Sequence, residues 1–311
     1  MNDPSVPPLI DRHTHLEGSL DSAWVRQDAA RRGLDVPASL ELLWSGAAVP
    51  FDGFIEAFLF GAALLDSREA VREATLAVAR RTRAAGGAGF DLWASPHFLV
   101  VHRGQISLDD FWLGMEEGLF IAGALGLRAC VVVDAVNHFG PRHGQAVLDL
   151  VLPGLPAFVK GFSTGGLEDC PFRDWAPVFD RARAAGLRIA AHAGENGPGS
   201  NVREALLEGG VARIIHGIRA SEATFELLAE HRIPVDICPS SNRALAAEVD
   251  PHPLPRMLGA GVRCALGTDD PGLIPCDLGT EIAAARRMGL DDTALATLRR
   301  HGAEDAWCLA P

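Results

Sequence analysis

The feature that most constrains the fold is a regular alternation of short apolar runs with longer amphipathic segments along 311 residues. Short, β-branched runs bounded by glycine predict buried strands, and the segments between them have the spacing of helices. Alternating strands and helices are typical of a parallel sheet covered by helices. We predict eight strands, at residues 8–11, 90–94, 128–133, 158–162, 188–191, 213–216, 235–238 and 263–266.

The helical segments carry recognisable start and stop signals. Ser67 is a capping serine in front of an amphipathic stretch that runs to residue 84. Gly186 and Gly261 follow helical stretches at the position where glycine commonly ends a helix. Further helices are expected at residues 108–125, 175–185, 202–207, 221–231 and 254–258.

Side chains with metal-binding and acid–base chemistry follow four of the predicted strands. His13 and His15 are two residues apart, and an extended backbone presents such a pair on one face. The later strand ends carry His192, Glu195, His216, Asp269 and Asp270. A closed barrel gathers these distant strand ends around one cavity, whereas an open doubly wound sheet does not. We therefore predict a single-domain (β/α)8 TIM barrel over residues 1–311.

Four of these side chains suit a divalent metal. We predict His13, His15, His192 and Asp269 as its ligands. Three imidazoles and one carboxylate are typical ligands for zinc with a solvent molecule in the remaining position. A zinc ion lowers the pKa of bound water to about 7, which makes a nucleophile available at neutral pH.

Three further residues are predicted to act on substrate or water. Glu195, three residues after His192, could donate a proton to a substrate. His216 could accept a proton from the attacking water, and Asp270 could hydrogen-bond the substrate or the water. Any one of them alone is more often a satisfied polar residue, so the prediction depends on their occurring together at strand ends.

Composition and charge narrow the range of partners. The formal net charge is −12 and Lys160 is the only lysine, which argues against nucleic acid or an anionic membrane. No apolar stretch approaches the ~18–20 residues of a membrane span, and the first residues do not resemble a signal peptide. The six cysteines have no paired spacing, so reduced thiols and a cytoplasmic location are expected. The sequence carries no information on oligomeric state.

The segment at residues 20–65 is longer than one crossover helix requires. It contains aromatic residues at helical spacing between Phe51 and Phe58, which core packing would explain. A long insertion after the first strand can also form a lid over the barrel mouth. Both interpretations remain open at this point.

Five ordered motifs together resemble the adenosine/adenine deaminase family of the metal-dependent amidohydrolase superfamily. The resemblance covers roughly residues 9–280, and the ordered combination is far more specific than any single piece. The motifs are His13-Thr-His15-Leu-Glu-Gly-Ser-Leu, His192-Ala-Gly-Glu195, Arg213-Ile-Ile-His216-Gly, Cys238-Pro-Ser-Ser-Asn242 and Gly267-Thr-Asp269-Asp270-Pro271.

The resemblance implies a barrel with one zinc ion per chain, held by the four ligands already predicted. It implies that Glu195 protonates purine N1, that His216 activates the hydrolytic water and that Asp270 hydrogen-bonds it. It also implies that the backbone N–H of Gly166 meets purine N3. The expected partner is a small-molecule purine, and the reaction is hydrolytic deamination at C6 with release of ammonia.

Two departures from the family pattern bear on the substrate. Glu17 occupies the position where adenosine-specific members usually have an aspartate that contacts ribose. Trp93 stands where members commonly have arginine. The expected substrate is adenosine or a related 6-aminopurine nucleoside, and adenine or 6-aminodeoxyfutalosine is the alternative.

Two other classes of protein could share this fold. A binuclear amidohydrolase would bridge two metals with a carboxylated lysine, and Lys160 lies in the fourth predicted strand. That class leaves Glu195 without an obvious role. A non-catalytic barrel would be expected to have lost a ligand, an acid or a base, and all of them are present.

Overall fold

The computed structural model describes residues 6–245 and 249–310. Its centre is a sheet of eight parallel strands whose spatial order follows the order along the chain. The strands are β1 (Ile10–His15), β2 (Gly89–Ala94), β3 (Arg128–Val136), β4 (Val159–Gly165), β5 (Arg188–Ala193), β6 (Arg213–His216), β7 (Pro234–Ile237) and β8 (Arg263–Leu266).

Helices follow each strand and cover the outside of the sheet. Ser67, Ser107 and Ser221 each cap a helix by accepting a backbone N–H with the side-chain oxygen. The helices are α1 (Ser22–Arg32), α2 (Ala38–Trp44), α3 (Phe51–Ala63), α4 (Arg68–Ala84), α5 (Leu108–Ala124), α6 (Pro141–Val151), α7 (Phe172–Ala184), α8 (Ser200–Leu207), α9 (Glu222–Glu230), α10 (Pro239–Ala244), α11 (Leu254–Gly259), α12 (Leu278–Arg287) and α13 (Asp292–Glu304), with a π-helical turn at Phe98–His102 and a 3₁₀ turn at Asn137–Phe139.

The seam between β1 and β8 closes the sheet into a barrel. Regular β8 ends at Leu266, but Asp269 just beyond it pairs with Thr14 of β1 as a parallel bridge. The N–H of His15 donates to the carbonyl of Asp269 (2.6 Å), and the N–H of Asp269 donates to the carbonyl of His13 (2.9 Å). The predicted (β/α)8 barrel is therefore confirmed.

Most predicted elements agree with the observed ones within a few residues. The largest difference is β1, which was predicted to end at residue 11 and instead continues to His15. All six residues of β1 are buried, so the polar histidines are part of the strand and not of the loop after it. A prediction based on apolar runs stops where polar residues begin, and here those residues face a polar interior.

A layer of paired charges lies in the barrel beneath the histidines. Arg213 donates to Asp91 (2.9 Å), and Arg12 pairs with Asp236 (3.1 Å), with all four side chains fully buried. Asp91 also accepts the backbone N–H groups of residues 307 and 308 from the C-terminal segment. Buried carboxylates and guanidinium groups of this kind are stable only when paired.

The long segment after β1 forms three helices, α1 to α3. Phe54 of α3 is buried, while Phe51 and Phe58 are partly exposed on the same helix. Within the described ranges, the chain has no helix with the length and apolar character needed to cross a membrane.

Candidate active site

Four side chains from four strand ends meet inside the barrel mouth. Potential ligand atoms of His13, His192, His216 and Asp269 all lie within 4.8 Å of one another. His15 belongs to the same group, because its Nε2 is 3.2 Å from Nε2 of His192 and 3.5 Å from Oδ1 of Asp269. Parallel strands direct their carboxyl ends to one face of a barrel, which is why residues so distant in sequence meet there.

The spacing of these atoms fits a shared cation. Nε2 of His192 is 3.2 Å from Nε2 of His13, and Nε2 of His13 is 3.2 Å from Oδ1 of Asp269. Donor atoms about 2.0–2.1 Å from one tetrahedral zinc ion would themselves be separated by about 3.3 Å. Two imidazole nitrogens at this distance repel if both present lone pairs, and a cation between them would remove that repulsion.

Burial keeps the histidines neutral and available as ligands. It lowers the pKa of His13 to about 3 and the pKa of His15 to about 3. Nδ1 of His192 bonds to the backbone carbonyl of Thr164 (2.8 Å), so its ring proton is on Nδ1 and the Nε2 lone pair faces the cluster. Burial opposes ionisation of Asp269, but its hydrogen bond to His13 and the nearby imidazoles hold its pKa well below the usual value.

The two residues that end β6 and follow β8 have unusual backbones. His216 has a φ of 66° and Asp269 has a φ of 63°, in the left-handed region that residues other than glycine rarely adopt. Each such residue costs on the order of 1 kcal/mol or more, and this kind of strain is concentrated at functional sites. The left-handed backbone turns each side chain from the strand direction into the cavity.

Glu195 lies beside His216, and its Oε1 is 3.5 Å from Nε2 of that imidazole. Burial raises the pKa of Glu195 to about 7, although the charge of His216 works in the opposite direction. A carboxyl group that holds its proton near neutral pH is able to donate it. The side chain faces the same cavity as the histidine cluster.

Glu168 fixes the loop that carries Glu195, and sequence reasoning gave it no role. Its two carboxylate oxygens accept backbone N–H groups of Gly194 (2.8 Å), Glu195 (2.8 Å), Asn196 (3.2 Å) and Gly197 (3.2 Å). Asn201 donates to it as well. The only signal in the sequence was its position in the glycine-rich stretch after β4.

Asn242 is a second supporting residue without a predicted role. Its side-chain amide lies 3.3 Å from Nδ1 of His216, and its carbonyl oxygen lies 3.4 Å from Nε2 of His252. The amide therefore sets the orientation of the His216 ring. The motif that ends in Asn242 was noted for its resemblance to the family, but its contact with His216 requires the fold.

Asp270 lines the cavity next to the cluster. Its Oδ1 is buried and has no hydrogen-bond partner among the described residues. Burial raises its pKa well above the usual value, and the neighbouring Asp269 carboxylate adds to the shift. A Cβ at Gly18 would approach Oδ1 of Asp270 to 1.8 Å, so glycine is required there.

The two other predicted substrate contacts differ in their placement. Gly166 lines the cavity, with a φ of 84° that favours glycine. Glu17 is fully buried, accepts the backbone N–H of Ser95 (2.7 Å) and is not among the residues that line the cavity.

Lys160 lies near the amino end of β4, away from the cluster, which removes the support for a carboxylated-lysine bridge.

The cavity has a volume of about 310 Å³ and extends from the cluster to the loops after β2 and β3. One face of α3 forms its wall with Phe51, Phe54 and Phe58. His102 and His138, two histidines that the sequence gave no reason to select, also line it. A barrel with buried imidazoles and carboxylates at the carboxyl ends of its strands defines the metal-dependent amidohydrolase class.

Comparison with known proteins is more specific. The family model described as adenosine deaminase matches residues 8–311. An adenine deaminase from a Chelativorans species is 31% identical over 305 residues, which cover 95% of this chain and 92% of that protein. An aminodeoxyfutalosine deaminase from Streptomyces coelicolor is 33% identical over 332 residues, covering 99% of this chain and 85% of that protein.

Solved structures agree with this result. The adenine deaminase from Arthrobacter aurescens superposes with a TM-score of 0.79 at 26% identity, covering 96% of this chain and 98% of that one. An amidohydrolase from Burkhoderia ambifaria, solved with bound Zn, superposes with a TM-score of 0.85 at 22% identity. The superposition covers 97% of this chain and 86% of that one. The chain belongs to the adenosine deaminase family. It is a hydrolase that acts on C–N bonds.

Proposed function

We propose that this enzyme hydrolytically removes the 6-amino group of a 6-aminopurine nucleoside such as adenosine, using one zinc ion. The observation that carries the proposal is the meeting of the His/Asp cluster with Glu195 and Asp270 at the inner end of one cavity. A metal that activates water beside a carboxylic acid supplies the chemistry used to deaminate amino-substituted bases.

His13, His15, His192 and Asp269 would hold the zinc ion, because their donor atoms have the separations of a shared ligand set. A zinc ion held there supplies Lewis-acid activation of water at neutral pH. Asp269 offers one oxygen to His13, and its other oxygen lies 3.9 Å from Nε2 of His216. That second oxygen is available to orient the His216 ring.

Two residues move protons in the proposed reaction. Glu195 donates a proton to purine N1 while the water oxygen adds to C6. His216 accepts a proton from that water, for which its Nε2 faces Glu195 and Asp269. The C6–N6 bond then breaks as the amino group takes the proton held by His216 and leaves as ammonia. The proton of the new C6 hydroxyl passes to the Glu195 carboxylate, and a 6-oxopurine remains.

Two further groups orient the purine. The free Oδ1 of Asp270 can accept a hydrogen bond from substrate or water inside the cavity. The backbone N–H of Gly166, which also lines the cavity, would meet purine N3. Together with Glu195, these groups would fix the ring plane with C6 toward the metal ligands.

A nucleoside is favoured because the cavity continues past the cluster to the loops after β2 and β3. Free adenine is the second candidate, since relatives at 31% identity are named adenine deaminases and Glu17 is not among the cavity-lining residues. A relative named aminodeoxyfutalosine deaminase supports the inclusion of modified nucleosides in the test.

The test measures ammonia release by the zinc-loaded enzyme from adenine, adenosine, deoxyadenosine and aminodeoxyfutalosine. We expect kcat/KM to be higher for at least one nucleoside than for adenine. Glu195→Gln should retain zinc and lose about 10²–10⁴-fold in kcat. Glu226→Gln, an exposed change on α9, serves as the matched control. The proposal is wrong if no 6-aminopurine releases ammonia or if Glu195→Gln keeps its turnover.

A further inference from the structure

The outer end of the cavity is formed by side chains that the proposed reaction does not use. His102 ends the π-helical turn after β2, and Arg103 follows it. His138 and Phe139 belong to the 3₁₀ turn after β3. These four residues, which we call the rim, are exposed and line the same cavity as Glu195.

The rim is built from aromatic rings in mutual contact. The His102 ring stacks on Phe98 at 5.3 Å between centroids and lies 5.3 Å from the ring of Phe139. Phe139 is also 4.8 Å from His138 and 5.2 Å from His143. The rings therefore support one another and leave their polar edges available to a ligand.

Two rim residues have hydrogen-bond donors free to face the cavity. Nδ1 of His138 accepts the backbone N–H of Leu167 (3.2 Å), so the ring proton lies on Nε2. Nε of Arg103 donates to the side-chain oxygen of Gln105 (2.7 Å). In the described part of the chain, no carboxylate lies within 4.0 Å of the Arg103 guanidinium, which leaves its remaining N–H groups as donors.

Charge is distributed unevenly along the cavity. The inner end carries the carboxyl groups of Asp134, Glu195, Asp269 and Asp270, and the outer end carries the guanidinium of Arg103. Asp169 is the acidic residue whose charge reaches His138, and it does not line the cavity. A ligand that spans the cavity therefore meets proton donors and a positive charge where it leaves the protein.

We infer that the rim binds an anionic group, a carboxylate or a phosphate, carried on the N9 substituent of the purine substrate. The inference rests on the proposed function, which places the purine at the inner end. A guanidinium presents several N–H groups in one plane and suits both anions, and a neutral ribose would not require it. The apolar faces of Phe98 and Phe139 would contact the uncharged part of the substituent.

The test compares kcat/KM for adenosine with the values for adenosine 5′-monophosphate and for aminodeoxyfutalosine, which carries a carboxylate. In the zinc-loaded wild type, we expect one anionic substrate to exceed adenosine by about tenfold or more. The substrate that does so identifies the anion. Arg103→Ala should lower the ratio of anionic to neutral kcat/KM by about tenfold or more, and Arg103→Lys should restore part of it.

Arg188→Ala is the matched control, because Arg188 is exposed at the start of β5, at the opposite end of the barrel. It should leave the ratio unchanged. A wild type that prefers adenosine or adenine to both anions overturns the inference, as does an Arg103→Ala variant with an unchanged ratio. If no ligand is deaminated, the proposed function fails separately. Calorimetric binding of the same three ligands then still tests whether the rim binds an anionic group.

Discussion

Two imidazoles of the cluster, those of His15 and His216, approach different oxygens of the Asp269 carboxylate. Nε2 of His15 is 3.5 Å from Oδ1, and Nε2 of His216 is 3.9 Å from Oδ2. Of the two, His216 also contacts Glu195, at 3.5 Å. These contacts support the proposed roles, in which His15 binds the metal and His216 transfers a proton.

The two roles have separable consequences. We expect His15→Ala to lose most of its bound metal, because a ligand is removed. His216→Ala should keep metal and lose about 10²–10⁴-fold in kcat. Metal content by atomic absorption and kcat, measured on the same samples, check both statements. His231→Ala, an exposed change after α9, is the control. Full metal occupancy in the His15 variant would exclude it from the ligand set.

Glu168 acts on Glu195 through the backbone and has no contact with the reacting atoms. Replacement by glutamine puts an NH₂ group against N–H donors of Gly194 or Glu195. We expect kcat to fall about tenfold or more with metal content unchanged, since an exact geometry is lost. Glu204→Gln on α8 provides a control. A rise in KM alone would instead place Glu168 in substrate binding.

At this scale the sequence predicted which side chains meet where a residue's chemistry depends on its own type, and their role as metal ligands stays a prediction. His13, His192 and Asp269 are strong metal ligands wherever they meet, so their positions at strand ends were enough to predict a shared site. Glu168 and Asn242 were missed because their roles depend on which backbone N–H or imidazole the fold brings beside them. No sequence pattern specifies such a contact.

Among the elements, α3 is the one for which the sequence left two interpretations open, core packing and a lid over the barrel mouth. Phe51, Phe54 and Phe58 all line the cavity, and Phe54 is also buried in the core. The Phe58 ring lies 6.5 Å from that of His15. The helix is thus a wall of the site. Its movement as a lid remains a prediction.

Phe58→Ala should reduce kcat/KM about tenfold or more, chiefly through KM, because apolar surface against the substrate is removed. Steady-state kinetics with the preferred substrate provide the measurement. Leu113→Ala on α5, a partly exposed leucine away from the cavity, should leave both constants unchanged. If Phe58→Ala has wild-type kinetics, α3 does not contact the substrate. Slower hydrogen exchange in α3 upon ligand binding would indicate that it closes as a lid.

The strands were predicted well for a simple reason. Strands of a closed barrel are buried on both sides and appear in the sequence as continuous apolar runs, as in β3 and β5. The prediction failed at the end of β1, where His13 and His15 continue the strand. The closing bridge at Asp269 was also missed, because it depends on pairing between the two ends of the chain.

At the scale of the whole molecule, stability depends on the protonation of a buried glutamate. Glu281 of α12 is fully buried, with one oxygen accepting the N–H of Ser240 (3.0 Å) and the other without a partner among the described residues. Burial raises its pKa to about 7. The folded state thus keeps a proton that the unfolded chain releases near the ordinary glutamate pKa of 4.5.

Because the folded pKa is the higher one, the contribution of Glu281 to stability is complete below pH 4.5 and is lost as pH rises to about 7. Glu281→Gln resembles the protonated form and should be more stable than wild type at pH 8, on the order of 1–3 kcal/mol. Urea unfolding at several pH values measures the difference. The exposed control Glu226→Gln should show no difference in stability from wild type. A difference independent of pH would contradict the assignment.

At the seam of the barrel, metal binding would be coupled to the closure of the sheet. The first and last strands are joined through the backbone of His13, His15 and Asp269, whose side chains converge on one point. An ion bound there would cross-link the two edges of the sheet a second time, in parallel with their hydrogen bonds. Loss of the ion would remove one of two links across this junction, so a variant of His13, His15 or Asp269 that weakens metal affinity should also loosen the closure of the cylinder.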